Sequence, residues 1–329
     1  MSFLAASLAI IVGFVGLIWS SDKFVLGASS TARNFGVSPL IIGLTIVAFG
    51  TSAPEIFSSA SASIRGVPYI AVGNALGSNI ANLGLVLAIT VLLCPIAIPE
   101  SILKKELPAL FLVTAACFIV FADMSINWID GILLLGILAI FTWRLSINRA
   151  VLAEQHMVSS EQVIDAEEVT DYIQEMSTTR ALLYLFMGLV LLIISANVLV
   201  TGAIEVARAL GVSELVIGLT IIAIGTSLPE LAASITSAVK GHHDLVLGNI
   251  IGSNIMNILL VLPVPAFISP MNLDAPVLYR DYSTMAFITL LAIFMLYINT
   301  RQQRKIGRLS GSILLIVYFA YTALLFTGS

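Results

Sequence analysis

Residues 32–82 and 207–257 align without a gap at a constant offset of 175, and 26 of the 51 positions are identical. The densest matches pair IGLTIVAFGTSAPE (Ile42–Glu55) with IGLTIIAIGTSLPE (Ile217–Glu230), and GNALGSNIAN (Gly73–Asn82) with GNIIGSNIMN (Gly248–Asn257). A chain that repeats Gly, Thr, Ser, Pro, Glu and Asn inside otherwise apolar runs is built as two related halves. How the halves relate depends on where those runs lie.

Of the 329 residues, 59% are hydrophobic and 10% are charged. A soluble chain needs about 25% charged residues to cover its surface, so this is a polytopic membrane protein. A bilayer core takes roughly 20 apolar residues per helix. That predicts ten spans: 3–20, continuing past Asp22, then 38–64, 70–93, 107–122, 128–146, 181–204, 213–239, 245–268, 283–299 and 310–327. The first span lacks a basic leader and a cleavage site, and reads as a retained helix. The odd-numbered loops hold 12 Lys and Arg residues, Lys23, Lys104, Lys240 and Arg301 among them, against Arg65, Arg208 and Arg280 in the even-numbered ones. That bias puts the odd loops in the cytoplasm and both termini outside. A net charge of −4 excludes a nucleic-acid binder. Cys94 and Cys117 have no metal-ligand spacing and read as packing residues.

Five spans separate the two copies, so the second enters the membrane from the opposite side. The expected fold class is all-α, ten transmembrane helices as two inverted-topology five-helix repeats, 1–146 and 181–329. Such repeats are typical of secondary transporters, which bind substrate at the repeat interface near the midplane. Between the halves, 147–180 carries seven acidic residues from Glu154 to Glu175. It lacks EF-hand spacing and reads as an acidic cytoplasmic linker.

Glu55 and Glu230 fall near the centres of their spans, where a carboxylate is expensive and marks an ion path. No basic residue lies at matching depth. Two carboxylates about 4 Å apart repel by about 4 kcal/mol at an effective dielectric near 20, so a proton or a cation must sit with them. Pro54 and Pro229 precede the glutamates and lack the helical N–H, which frees carbonyls around Ala48–Thr51 and Ala223–Thr226. Thr51 and Glu55, Thr226 and Glu230, Ser78 and Asn82, and Ser253 and Asn257 are each four apart, hence on one face. Together they make an all-oxygen donor set suited to Ca²⁺ or Na⁺ and not to softer metals. Gly73, Gly77, Gly248 and Gly252 are spaced for close helix approach.

At these residues the chain resembles the sodium/calcium exchanger family of the calcium/cation antiporter superfamily, in its prokaryotic ten-helix form. The resemblance implies a Ca²⁺ site at Glu55, Glu230 and the carbonyls of Thr51 and Thr226, taking Na⁺ in alternation. It further implies one flanking Na⁺ site at Ala48, Thr51, Glu55 and Ser78, and an inverted partner at Ala223, Thr226, Glu230 and Ser253. Ser78 is expected nearer the cytoplasm and Ser253 nearer the outside. Asn82 and Asn257 complete the cluster, with Ser52 and Ser227 beside it. The first and sixth helices would slide to alternate access, with Asp22 and Asn197 at the interface rather than among the ligands. Many family members carry Asp where this chain has Asn257, which leaves two formal negative charges in the centre instead of three.

The expected function is therefore Na⁺/Ca²⁺ antiport, with Ca²⁺/H⁺ and K⁺-dependent exchange as alternatives. A monomer in a prokaryotic inner membrane, without cofactor, is expected. A buried-serine hydrolase built on Ser52 or Ser227 lacks a base, because His156, His242 and His243 all fall in loops. An ATP-driven pump lacks a P-loop. A passive channel is separated from an exchanger only by stoichiometric counter-flux.

Overall fold

A computed structural model describes residues 2–159, 176–210 and 223–327. The first helix, α1 (Phe3–Asn34), runs well past Asp22 and starts at Ser2, whose hydroxyl accepts the Ala5 N–H. It is followed by α2 (Pro39–Ile64) and α3 (Pro68–Leu93). A short α4 (Glu100–Lys104) leads into α5 (Glu106–Phe121), and α6 (Trp128–Ser159) ends the first half. The second half has α7 (Thr178–Ala209), α8 in two pieces (Ala223–Thr226 and Leu228–Val239), α9 (His243–Ile268), α10 (Val277–Arg301) and α11 (Arg308–Thr327).

Among the described residues, eight helices are long and apolar enough to cross a membrane. The fold is helical and polytopic as expected. Helix α6 continues to Ser159 and α7 begins at Thr178, so helix occupies much of the stretch expected to be linker. Residues 160–175 of that linker lie outside the described residues, as do 211–222 at the start of the seventh span. One feature departs from an all-α fold. Ser125–Ile126 (β1) pairs antiparallel with Met271–Asn272 (β2) on one face. The loops after α3 and α10 pair on the opposite face, Ile96 with Ile306. These two clasps lie on the faces that the predicted alternation of spans gives them.

Two central helices are buried on nearly all sides. The most hidden of the spans is α9, and α3 follows it. Their sequences permit this because the polar side chains they bury are small amides and hydroxyls, all but Thr90 with identical partners in the other repeat. Helices α1 and α7 stand to one side and pack antiparallel along their length. A Cβ on Gly27 would overlap Leu185 N, one on Gly188 would lie 2.6 Å from Phe24 N, and one on Gly13 2.6 Å from Leu199 N. Glycine is required there because backbone meets backbone.

Candidate cation site

Helix α2 breaks at Ser52 (φ −81°, ψ 3°) and α8 at Ser227 (φ −90°, ψ 5°), each two residues before a proline. Across the first break, Ser52 N–H donates to Ala48 O (3.0 Å) and Ile56 N–H to Ser52 O (3.2 Å). Across the second, Ser227 N–H donates to Ile224 O (3.1 Å) and Leu231 N–H to Ser227 O (3.0 Å). None of these rungs uses the Thr51 carbonyl. Ala48 O is engaged twice, by Ser52 N–H and by the Thr51 hydroxyl at 3.4 Å. Both glutamate helices then stop at a left-handed glycine, Gly66 (φ 75°) and Gly241 (φ 76°), which the repeat also pairs.

Glu55 and Glu230 are each 1% exposed, and no Lys or Arg among the described residues forms an ion pair with either. Thr51, Ser52 and Ser253 are fully buried, and Asn82, Ser227 and Asn257 are 1% exposed. Ser78 is buried as well, and Thr226 half-buried. Ala223 opens the first piece of α8. Side-chain oxygens of Ser52, Glu55, Asn82, Ser227, Glu230 and Asn257 have no hydrogen-bond partner among the described residues. Leaving a buried polar group unpaired costs about 1–3 kcal/mol, and more for a charged one. These buried oxygens are of the kind that could hold a hard cation.

Two further repeat-related pairs, Asn74 with Asn249 and Ser59 with Ser234, hold the glutamate helices, and a third, Asn79 with Asn254, is buried on the same central helices, although sequence reasoning assigned none of them. The Asn74 amide donates to Glu55 O and Ser59 Oγ, both at 3.1 Å. In the mirror position the Asn249 amide donates to Glu230 O (3.5 Å) and Ser234 Oγ (3.1 Å). Each asparagine ties a glutamate helix to the helix that follows it. Asn79 and Asn254 are 1% exposed, with orphaned amide atoms. The signal was present in the sequence: all six residues are identical at the offset of 175.

The structure gives Thr51 a different serine neighbour from the one the expected flanking sets pair it with. The Thr51 hydroxyl lies 3.4 Å from Ser253 Oγ and donates to Asn249 Oδ1 at 3.3 Å, so its neighbours come from the other repeat. The cause is helix packing: Gly248 and Gly252 of α9 press on Leu40, Gly43, Leu44 and Ala48 of α2. Ser253 thus stands beside Thr51, and in the repeat Ser78 corresponds to Ser253 and Thr226 to Thr51. The sidedness reverses with it. Ser253 lies ten residues after His243, on the face of Lys240, and Ser78 ten residues after Pro68, on the face of Arg65. The stretch that would mirror the Gly248–Gly252 contact, for Gly73 and Gly77, is 211–222.

Asp22 and Asn197 stay outside the cluster. Asp22 Oδ1 pairs with Lys240 Nζ (2.5 Å), and Asn197 Nδ2 donates to Ile193 O (3.0 Å). Asn197 does line a cleft of about 110 Å³ with Ile193, Ala196, Val200, Pro54, Thr226 and Pro229. The cleft reaches the broken segments from the half of α7 that ends at Ala209. His242 and His243 sit at the turn into α9, so neither can pair with Ser52 or Ser227.

Two broken helices in inverted repeats, each burying a glutamate beside hydroxyls and amides, are the arrangement of a secondary transporter. The chain matches the family of sodium/calcium exchanger proteins over residues 5–146 and 180–327. It is 46% identical to the putative antiporter CaxA of Alkalimonas amylolytica, over 99% of this chain and 100% of that protein. It is 37% identical to the inner membrane protein YrbG of Escherichia coli, over 98% and 97%. It superposes on a solved structure of the sodium-calcium exchanger NCX_Mj, soaked with 2.5 mM Na⁺ and 10 mM Sr²⁺, with a TM-score of 0.81 at 33% identity. That match covers 98% of this chain and 99% of the other. The chain belongs to the sodium/calcium exchanger family and is a cation/Ca²⁺ antiporter.

Proposed function

We propose that this protein exchanges Na⁺ for Ca²⁺ through one site at the repeat interface, with Glu55 and Glu230 supplying the two negative charges. The observation that carries this reading is the set of orphaned oxygens. Two protons would neutralise both carboxylates, but they supply only two hydrogen-bond donors and leave most of the hydroxyls and amides unpaired. A Na⁺ or Ca²⁺ ion accepts several oxygens at once, Ca²⁺ typically six to eight. Coupling to Na⁺ therefore accounts for Ser52, Asn82, Ser227 and Asn257, where coupling to H⁺ accounts for the glutamates alone. One Ca²⁺ balances the two carboxylates without a third acid at Asn257.

Thr51 and Thr226 contribute carbonyls, and Ser253 and Ser78 complete the flanking positions on opposite sides of the pair. Alternating access follows when α1 and α7, joined along their glycine faces, move across the site. The Lys and Arg bias supports a cytoplasmic Lys240 face and outward termini, and the relation to YrbG supports an inner-membrane location. The test is ⁴⁵Ca²⁺ uptake into proteoliposomes under imposed Na⁺, H⁺ or K⁺ gradients. Uptake driven by a Na⁺ gradient at equal pH is expected. Uptake that follows only the pH gradient would assign the counter-ion role to protons and overturn the reading.

A further inference from the structure

Antiport requires two access states. In an inverted-repeat fold the second state arises when the halves exchange conformations. Each contact between halves in one state then has a mirror contact, between residues displaced by 175, in the other. The seam between α1 and α8 can be read this way.

Three polar contacts close that seam on the Lys240 face. Lys240 Nζ lies 2.5 Å from Asp22 Oδ1 and donates to Asp22 O at 3.3 Å. The hydroxyls of Ser21 and Thr236 lie 2.8 Å apart, and Ser21 is 1% exposed. The repeat maps Ser21 to Ala196, Asp22 to Asn197, Thr236 to Ser61 and Lys240 to Arg65. Only the basic residue and the α8-side hydroxyl have counterparts. Asn197 has no charge to offer Arg65, and Ala196 has no hydroxyl to offer Ser61. On that opposite side the structure has the cleft lined by Ala196, Asn197, Thr226 and Pro229 instead of a closed seam.

From this asymmetry we propose that Asp22–Lys240 and Ser21–Thr236 form a one-sided latch. It holds the α1–α7 pair against α8 on the Lys240 face and biases the protein toward the state open at the Asn197 cleft. The proposal rests on the antiporter reading. The latch acts on both mobile helices, because backbone-to-backbone contacts at Gly13, Gly27 and Gly188 make α7 follow α1. Lys23, 3.6 Å from Asp22, shares that carboxylate and does not cross the seam. An ion pair this exposed shifts a two-state ratio by up to about fivefold, and the shielded hydroxyl pair contributes a comparable factor. Release on the Lys240 face then requires breaking the latch, whereas the return step meets no equivalent restraint.

The test is chemical accessibility of the cleft in the full chain reconstituted in liposomes. Ile193→Cys places a thiol in the cleft, and a membrane-impermeant maleimide is applied from the cleft side. The native thiols do not interfere, since Cys117 is buried and Cys94 bonds Ala238 O near the Lys240 face. In this background Asp22→Asn and Lys240→Gln should each slow labelling about fivefold. The charge exchange of Asp22→Lys with Lys240→Asp should restore it. Asn197→Asp, which gives Arg65 a partner in the mirrored state, should slow labelling with the native latch still present. Labelling at the parent rate in both single variants, or no recovery in the charge exchange, overturns the latch. Labelling is read without ion gradients, so it is independent of which ion drives Ca²⁺ uptake. Failure of the antiporter reading appears separately, as absent counter-flux in the parent protein.

Discussion

Replacing Gly248 with alanine should weaken Ca²⁺ binding although the new methyl touches no ion. A Cβ at that position would lie 2.6 Å from Leu40 O and 3.0 Å from Gly43 Cα, both backbone atoms that no rotamer change can move. Carbon atoms pack at about 3.5–4.0 Å, so α2 and α9 must part by roughly 1 Å. Overpacking of this kind costs about 1–3 kcal/mol. The Thr51 hydroxyl reaches Asn249 at 3.3 Å and Ser253 at 3.4 Å, already near the limit for a hydrogen bond. Parting the helices breaks both, at about 1 kcal/mol each, and spreads the site between Thr51 and Ser253. The expected result is a melting temperature lower by several degrees and a Ca²⁺ half-saturation raised about tenfold, the equivalent of about 1.4 kcal/mol. Gly136→Ala, where a Cβ meets nothing within 4 Å, is the control. Melting curves in detergent and ⁴⁵Ca²⁺ uptake against Ca²⁺ concentration measure both quantities. A Gly248→Ala protein that matches the control in both would refute the claim that inter-repeat packing sets the site.

Glu55→Gln or Glu230→Gln should abolish Ca²⁺ uptake in a folded protein, because one carboxylate cannot balance a dehydrated divalent ion; near-parental flux in either would remove the shared site. Ser253→Ala should change Na⁺ dependence chiefly on the Lys240 face and Ser78→Ala on the Arg65 face, measured as half-saturation in vesicles of known orientation, and equal effects on both faces would contradict the inverted geometry. Asn257→Asp adds a third carboxylate beside the glutamates and should tighten Ca²⁺ binding and slow turnover at high pH; superimposable pH profiles for the variant and the parent would place Asn257 away from the ion. Burial, then the nearby Lys240 charge, hold the His242 imidazole below the usual histidine range. The unfolded chain therefore binds a proton that the folded one refuses, and stability should fall as pH drops through about 6.5. His242→Gln should flatten that slope in melting curves between pH 5 and 8.

Much of this architecture follows from the linear chain alone. Glu55 and Glu230 are dear to bury, so their placement in apolar runs announces an ion path. The offset of 175, with an odd number of spans between the copies, makes the halves inverted before any contact is known. Proline one residue before each glutamate predicts the breaks found at Ser52 and Ser227. These are local properties of composition, spacing and covalent geometry, and they survive whatever the helices pack against. Which side chains meet across the halves is not local. The sequence puts Ser78 in the same repeat as Thr51, yet the glycine face of α9 fits into α2, and Ser253 of the other repeat takes the place beside Thr51 instead. The same holds for Asp22. Its match to Asn197 is visible in the alignment, but its partner Lys240 lies 218 residues away, and only the packing of α1 on α8 brings the two charges together. Helix shape decides such neighbours, because a few small residues let two backbones approach where any larger side chain would hold them apart.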